Sequence, residues 1–231
     1  MSVLRDDGSG YSFFNRDSVL DYIISLNMRP VVELSFMPRS LAARPNETIF
    51  HYNGITSPPA DWQKFSDLIV AFVSHHVARY GLIEVQQWYY EVWNEPNCGF
   101  WTGTKEENFH LYQVTVLAIE AVDKSLRVGG PATCQVDWIP ELIEFAKSAA
   151  LPLDFVSSHL YPTDPLVPQV RVVLHLVSFH FLARCPQMSF ERNFVMGPTL
   201  PAILHCFLPN CGQGCRAGAG ASNVAHICVY V

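Results

Sequence analysis

Four short apolar runs, at 31–36, 87–93, 126–131 and 153–159, alternate with stretches whose apolar residues recur every three to four positions. This alternation is the strongest constraint on how the chain can fold, because strand-like runs joined through helix-period segments are the mark of βα units that stack into one parallel sheet. The first run follows a predicted helix that Asn15 or Asp17 can cap and in which Val19, Leu20, Ile23 and Ile24 share a face, with Pro30 forcing the exit into extended chain. A second helix opens at Asp61, turns Trp62, Phe65, Leu68, Ile69, Phe72 and Val73 inward and closes at Gly81. A third, at 105–122, groups Phe109, Tyr112, Val116 and Ile119, and a fourth spans 138–149. Four strands do not close a (β/α)8 barrel, which takes about 250 residues, so the pattern predicts part of such a barrel rather than all of it.

The pattern stops near Asp164. Between 165 and 231 there is one acidic residue, Glu191, and no lysine, while five of the seven cysteines and a glycine-rich run at 212–220 accumulate. Residues 1–164 are therefore expected to form the partial barrel domain, and 165–231 an atypical tail outside the native barrel. The odd, uneven set of cysteines predicts no disulfide framework. In the tail His205, Cys206, Cys211, Cys215, His226 and Cys228 invite a zinc reading, but only Cys211 and Cys215 have a suitable ligand spacing, so no metal is expected. A net charge of -6 without long charge runs gives no footing for nucleic acid or an anionic membrane surface. No stretch reaches the roughly 20 apolar residues that span a bilayer, and residues 1–10 are polar where a secretory signal would be apolar.

In a barrel of this kind the chemistry sits at the C-terminal ends of the strands. Those ends offer 33–38, Asn94-Glu95, 129–133 and His159-Leu160-Tyr161. Trp93-Asn94-Glu95-Pro96 carries the most information. A carboxyl at a strand end beside aromatic side chains can stay protonated near neutral pH and donate to a leaving glycosidic oxygen, and Asn94 has the chemistry to bind a sugar hydroxyl. The alternative is that Glu95 caps a loop. Likewise His159 can be a core histidine, Tyr161 with Pro162 an ordinary turn, and Glu33 either a site residue or a structural one.

Several motifs occur in order: Arg29-Pro30-Val31-Val32-Glu33-Leu34-Ser35-Phe36-Met37-Pro38, Tyr89-Tyr90-Glu91-Val92-Trp93-Asn94-Glu95-Pro96-Asn97, Phe100-Trp101-Thr102-Gly103-Thr104, Arg127-Val128-Gly129-Gly130-Pro131-Ala132-Thr133 and Asp154-Phe155-Val156-Ser157-Ser158-His159. Through them the body resembles glycoside hydrolase family 39, on the β-xylosidase side more than the α-L-iduronidase side, a preference resting on Ser35-Phe36-Met37-Pro38 and Phe100-Trp101-Thr102-Gly103. The resemblance implies a (β/α)8 TIM-barrel glycosidase fold of which barrel strands three to six are present. It implies a retaining mechanism without metal or cofactor on a carbohydrate substrate. Glu95 is then general acid/base, Asn94 the sugar-hydroxyl contact, His159 and Tyr161 a pair lining the sugar subsite, and Phe100 part of a hydrophobic wall. It also implies an extracellular or lysosomal setting.

The pattern departs from the family where the nucleophile should be. A retaining enzyme needs a second carboxylate about 5 to 5.5 Å from the first, at the end of the family's seventh strand. That strand would follow Asp164. The downstream carboxylate there is Glu191, with no convincing strand before it, so the nucleophile is unidentified. The alternatives are a catalytically inactive fragment with weak carbohydrate binding, or an iduronidase-like enzyme with a cationic subsite.

Overall fold

The computed structural model describes residues 3–5, 7, 9–160, 202–207 and 224–230. Its centre is four parallel strands, β1 (Arg29–Ser35), β4 (Tyr89–Val92), β5 (Arg127–Cys134) and β6 (Phe155–Leu160). They match the four expected runs. A two-stranded antiparallel hairpin, β2 (Thr48–Ile49) and β3 (Gly54–Ile55), stands on the connection after β1. Two further strands, β7 (Ala202–Phe207) and β8 (Val224–Tyr230), complete a six-stranded sheet in the order β7-β6-β5-β4-β1-β8. β8 runs parallel to β1 and β7 antiparallel to β6.

Helix α2 (Trp62–Tyr80) forms where its sequence begins with a good cap: the Asp61 carboxylate accepts from the amides of Gln63 and Lys64, satisfying donors that the first turn leaves orphaned. It ends at Gly81, whose φ of 82° is costly for a residue with a Cβ. Phe65, Leu68, Ile69, Phe72 and Val73 are buried as expected, and His76 joins them with its Nδ1 3.0 Å from the Tyr90 hydroxyl. A single turn, α3 (Leu82–Val85), leads into β4.

Helix α4 (Lys105–Val122) starts with a complete capping box. The Thr104 hydroxyl accepts from the Glu107 amide, and the Glu107 carboxylate from the Thr104 amide. Helix α5 (Ile139–Ser148) then follows β5.

Helix α1 (Phe14–Ser25) differs from expectation at its start. Phe13 occupies the cap position with no side-chain cap, and Asp17 turns instead to His75 on α2, Oδ1 to Nε2 at 2.7 Å. Val19 is exposed, while Leu20 and Ile23 are buried. The packing of α1 on α2 has overridden the local cap.

The sheet has two chemically distinct faces. Val32, Leu34, Tyr90, Val92 and Val128 join the main apolar core with α2 and α4. The opposite face of β1, β4, β5 and β6 carries Glu33, Tyr89, Arg127 and Phe155. Here the Arg127 guanidinium lies 4.9 Å from the centre of the Tyr89 ring and donates to no less a partner than its neighbour's hydroxyl, and Tyr89 meets Phe155 edge-on at 5.5 Å. This polar and aromatic face corresponds to a barrel interior.

Candidate active site

Where β4 ends, the backbone leaves the sheet through two left-handed residues, Trp93 at φ 67° and Glu95 at φ 44°. A single 3-10 turn, Pro96–Cys98, follows. Left-handed conformations at residues with a Cβ persist only where surrounding structure holds them. Several contacts do so. The Trp93 indole nitrogen donates to the Phe100 carbonyl at 2.8 Å, and the Glu95 amide donates to the Ala132 carbonyl at 2.8 Å.

Ala132 is available for that bond because β5 carries a bulge. Pro131 pairs with Ser157 and Thr133 with Ser158, so Ala132, at φ 52°, is the extra residue on its strand. Beyond the bulge, the amide of Gln135 donates to the His159 carbonyl at 2.7 Å. The Ser158 hydroxyl donates to the Thr133 carbonyl at 2.6 Å and accepts from the Val136 amide at 2.8 Å. The Thr133 hydroxyl bonds the Asp137 carbonyl. The end of β5 is thus tied to both of its neighbours.

These ties bring two expected site residues together. His159 Nδ1 and Glu95 Oε1 are 2.7 Å apart, with 7% of the histidine side chain and 9% of the glutamate side chain exposed. A carboxyl and an imidazole in hydrogen-bond contact, largely withdrawn from water, can hold and exchange a proton. Asn94, beside Glu95, is half-buried.

Phe100 is half-buried in an aromatic cluster, its ring centre 5.1 Å from Phe50 and 6.2 Å from Phe36. Phe36 also meets Trp93 edge-on at 5.7 Å, and Phe50 stacks on Tyr52 at 5.3 Å. The cluster joins the ends of β1 and β4 to the β2–β3 hairpin. Gly54 is required there, since a Cβ on it would lie 2.7 Å from the Phe36 ring.

Glu33 is 1% exposed on β1 and accepts from the Ser35 hydroxyl at 2.6 Å, a bond within the sheet interior. Arg44, on the connection after β1, pairs with Glu47 at 2.7 Å and donates to the Thr102 carbonyl at 3.0 Å. The Thr102 hydroxyl, and after it Arg44, holds the Glu47 carboxyl below its ordinary range. This cation is already committed to partners.

Tyr161 and Glu191 lie outside the described residues, as do Cys211 and Cys215. The other two pairs of the zinc reading fall on β7 (His205, Cys206) and β8 (His226, Cys228), the two outer strands of the sheet. Among the described residues no group of three or more histidine, cysteine or acidic side chains could hold a metal ion.

Two features escaped the sequence reasoning. Cys98 and Cys134 form a disulfide with their Cα atoms 6.3 Å apart, although the cysteine pattern predicted no framework. Their pairing depends on the turn after Glu95 folding back onto β5, which cysteine spacing does not encode. Asn97 bonds both backbone groups of Cys134, its Nδ2 donating to the carbonyl at 3.0 Å and its Oδ1 accepting from the amide at 2.9 Å. Sequence offers no signal for that contact.

The model of glycosyl hydrolases family 39 matches residues 1–173. A β-xylosidase of Caldicellulosiruptor saccharolyticus is 49% identical over 163 residues, covering 69% of this chain and 33% of the relative. One of Geobacillus stearothermophilus is 46% identical over 155 residues, covering 65% and 31%. The solved structure of a family 39 β-xylosidase from Caulobacter crescentus superposes with a TM-score of 0.70 at 40% identity, over 76% of this chain and 40% of that one. The chain therefore spans about a third of the length of the curated relatives it matches. With a parallel βα sheet, a carboxyl at the end of β4 and a family match over three quarters of its length, the chain belongs to glycosyl hydrolases family 39.

Proposed function

We propose that this chain carries the acid/base half of a retaining, β-xylosidase-like O-glycoside hydrolase. The observation that carries the reading is the buried contact between Glu95 and His159 at the C-terminal ends of β4 and β6. In this reading Glu95 protonates the leaving oxygen in the first step and takes a proton from water in the second, while Asn94 bonds the sugar 2-hydroxyl. His159 keeps the Glu95 carboxyl oriented and with Tyr161 lines the sugar subsite, and Phe100 forms part of its apolar wall. The reaction needs neither metal nor organic cofactor. The β-xylosidase names of the relatives support a neutral terminal sugar.

Residues 1–164 form the partial barrel in this reading, and 165–231 stand outside it. The antiparallel direction of β7 supports that division, because the strands of a (β/α)8 barrel all run parallel, whereas β8, parallel to β1, extends the sheet in the direction a barrel strand would. The nucleophilic carboxylate is then missing from the barrel portion, and the chain by itself turns over little or no substrate, since an acid alone cannot form the glycosyl-enzyme.

The test is hydrolysis of an aryl β-xyloside by the purified chain, beside Glu95→Gln and Glu191→Gln. Turnover that Glu191→Gln abolishes would assign the nucleophile to the tail and overturn the division. Turnover untouched by Glu95→Gln would remove the acid/base assignment.

A further inference from the structure

Glu95 sits in a segment that has little structure of its own. One 3-10 turn follows it, and its backbone is left-handed, so its carboxyl must be aimed by contacts made elsewhere. Those contacts converge on Cys134. Asn97, two residues beyond Glu95, spends both ends of its side-chain amide on the two backbone groups of Cys134, at 3.0 and 2.9 Å. Cys98, the next residue, is covalently bonded to the Cys134 sulfur. Cys134 is in turn the register partner of His159, and the following amide, that of Gln135, is bonded to the His159 carbonyl. The chain of contacts runs from Asn97 through Cys134 to His159 and returns across 2.7 Å to Glu95.

We propose that Asn97 is a positioning residue: its paired bonds to Cys134 transmit the position of the end of β5 to the Glu95 segment and thereby hold the Glu95 carboxyl in line with His159. The side chain bonds the Cys134 backbone and, through a longer Nδ2 contact at 3.5 Å, the Asp137 carboxylate; neither is a reacting group, and its effect on chemistry is exerted through Glu95. An amide suits the task because it donates and accepts at once. A carboxylate at 97 could accept from the Cys134 amide but would face the Cys134 carbonyl with a second acceptor. The role rests on the assignment of Glu95 as acid/base.

The test reads a ring nitrogen rather than turnover. The full chain is labelled with ¹⁵N-histidine, the His159 signals are assigned by their loss in His159→Gln, and Glu95→Gln fixes the Nδ1 shift that His159 shows without a facing carboxylate. Asn97→Ala and Asn97→Asp are expected to move Nδ1 of His159 most of the way to that value, with the signals of His76, buried in the core against Tyr90, unchanged. A folded Asn97→Ala or Asn97→Asp chain whose His159 signals coincide with those of the parent overturns the proposal. So does a Cys98→Ser chain that loses the contact while Asn97→Ala retains it, since the positioning would then belong to the disulfide. Should Asn97→Ala not fold, the near-isosteric Asn97→Asp decides. Because no hydrolysis is needed, a chain without turnover still answers, and xyloside hydrolysis surviving Glu95→Gln would remove the acid/base role while leaving the alignment result in place.

Discussion

The imidazole Nδ1 of His159 lies 2.7 Å from Oε1 of Glu95, joining two side chains 64 positions apart at the ends of β6 and β4. Both are nearly withdrawn from solvent. A hydrogen bond to a charged partner contributes more than one between neutral groups, and a buried partner left alone is costly.

His159→Ala is therefore expected to destabilise the chain by about 2–3 kcal/mol, because it strands the Glu95 carboxyl in a buried place. Glu95→Gln, which keeps an acceptor of similar shape, is expected to cost less. Urea unfolding of the two variants side by side checks the order, and a larger loss for Glu95→Gln would show that the contact is not the stabilising one.

Burial, with a smaller effect of His75 nearby, pushes the His76 imidazole down to about 3 from an ordinary value of 6.5. Between those values the unfolded chain binds a proton that the folded chain refuses. Its contribution to stability is complete above about pH 6.5 and is lost as pH falls through the window, on the order of 1.4 kcal/mol for each pH unit. His76→Gln retains a partner for the Tyr90 hydroxyl and removes the titration. The melting temperature of that variant is expected to fall less steeply with acid than the parent's, and parallel curves would contradict the assignment.

Gly129 faces β6 so closely that a Cβ would stand 2.3 Å from the Phe155 carbonyl oxygen and 2.6 Å from its ring. Gly130, the next residue, would meet nothing nearer than 3.6 Å. Gly129→Ala should cost at least about 3 kcal/mol, the upper end of overpacking losses, and Gly130→Ala much less. Denaturant midpoints of the pair test this, and equal losses would mean that backbone freedom rather than space sets the requirement.

Thr104 begins α4 with a reciprocal capping box to Glu107. Replacing it by alanine is expected to remove about 1 kcal/mol, with Thr104→Ser near neutral. Unfolding free energies of the two variants decide it.

The four central strands and the long helices were legible in the sequence because each carries its own local signal. α2 has Asp61 before it and Gly81 after it, and α4 has Thr104 and Glu107 at the spacing of a capping box. β5 was legible only in part. The run at 126–131 predicts a strand that stops at Pro131, yet the strand continues to Cys134 by absorbing Ala132 as a bulge, a choice made by pairing with β6 and not by local preference. Asp17 illustrates the same limit in a helix: it has the chemistry of a cap, but His75 offered a better partner. Of the site, Glu95 stood out through its strand-end motif. Its contact with His159 and the bonds from Asn97 to Cys134 are long-range, and nothing in the spacing of those residues foretells them.

The extra residue at Ala132 makes the site depend on a count rather than on an identity. Ala132 contributes a carbonyl and a position, and its methyl group takes no part in the bond to Glu95. Substitutions there that tolerate φ 52° leave the bulge intact, whereas deleting the residue would close it, keeping 131, 133 and 134 opposite 157, 158 and 159 but removing the carbonyl that accepts from the Glu95 amide. A family that tolerates sequence drift in this stretch would still be intolerant of a change in its length, and a single-codon deletion would disable what many missense changes would spare.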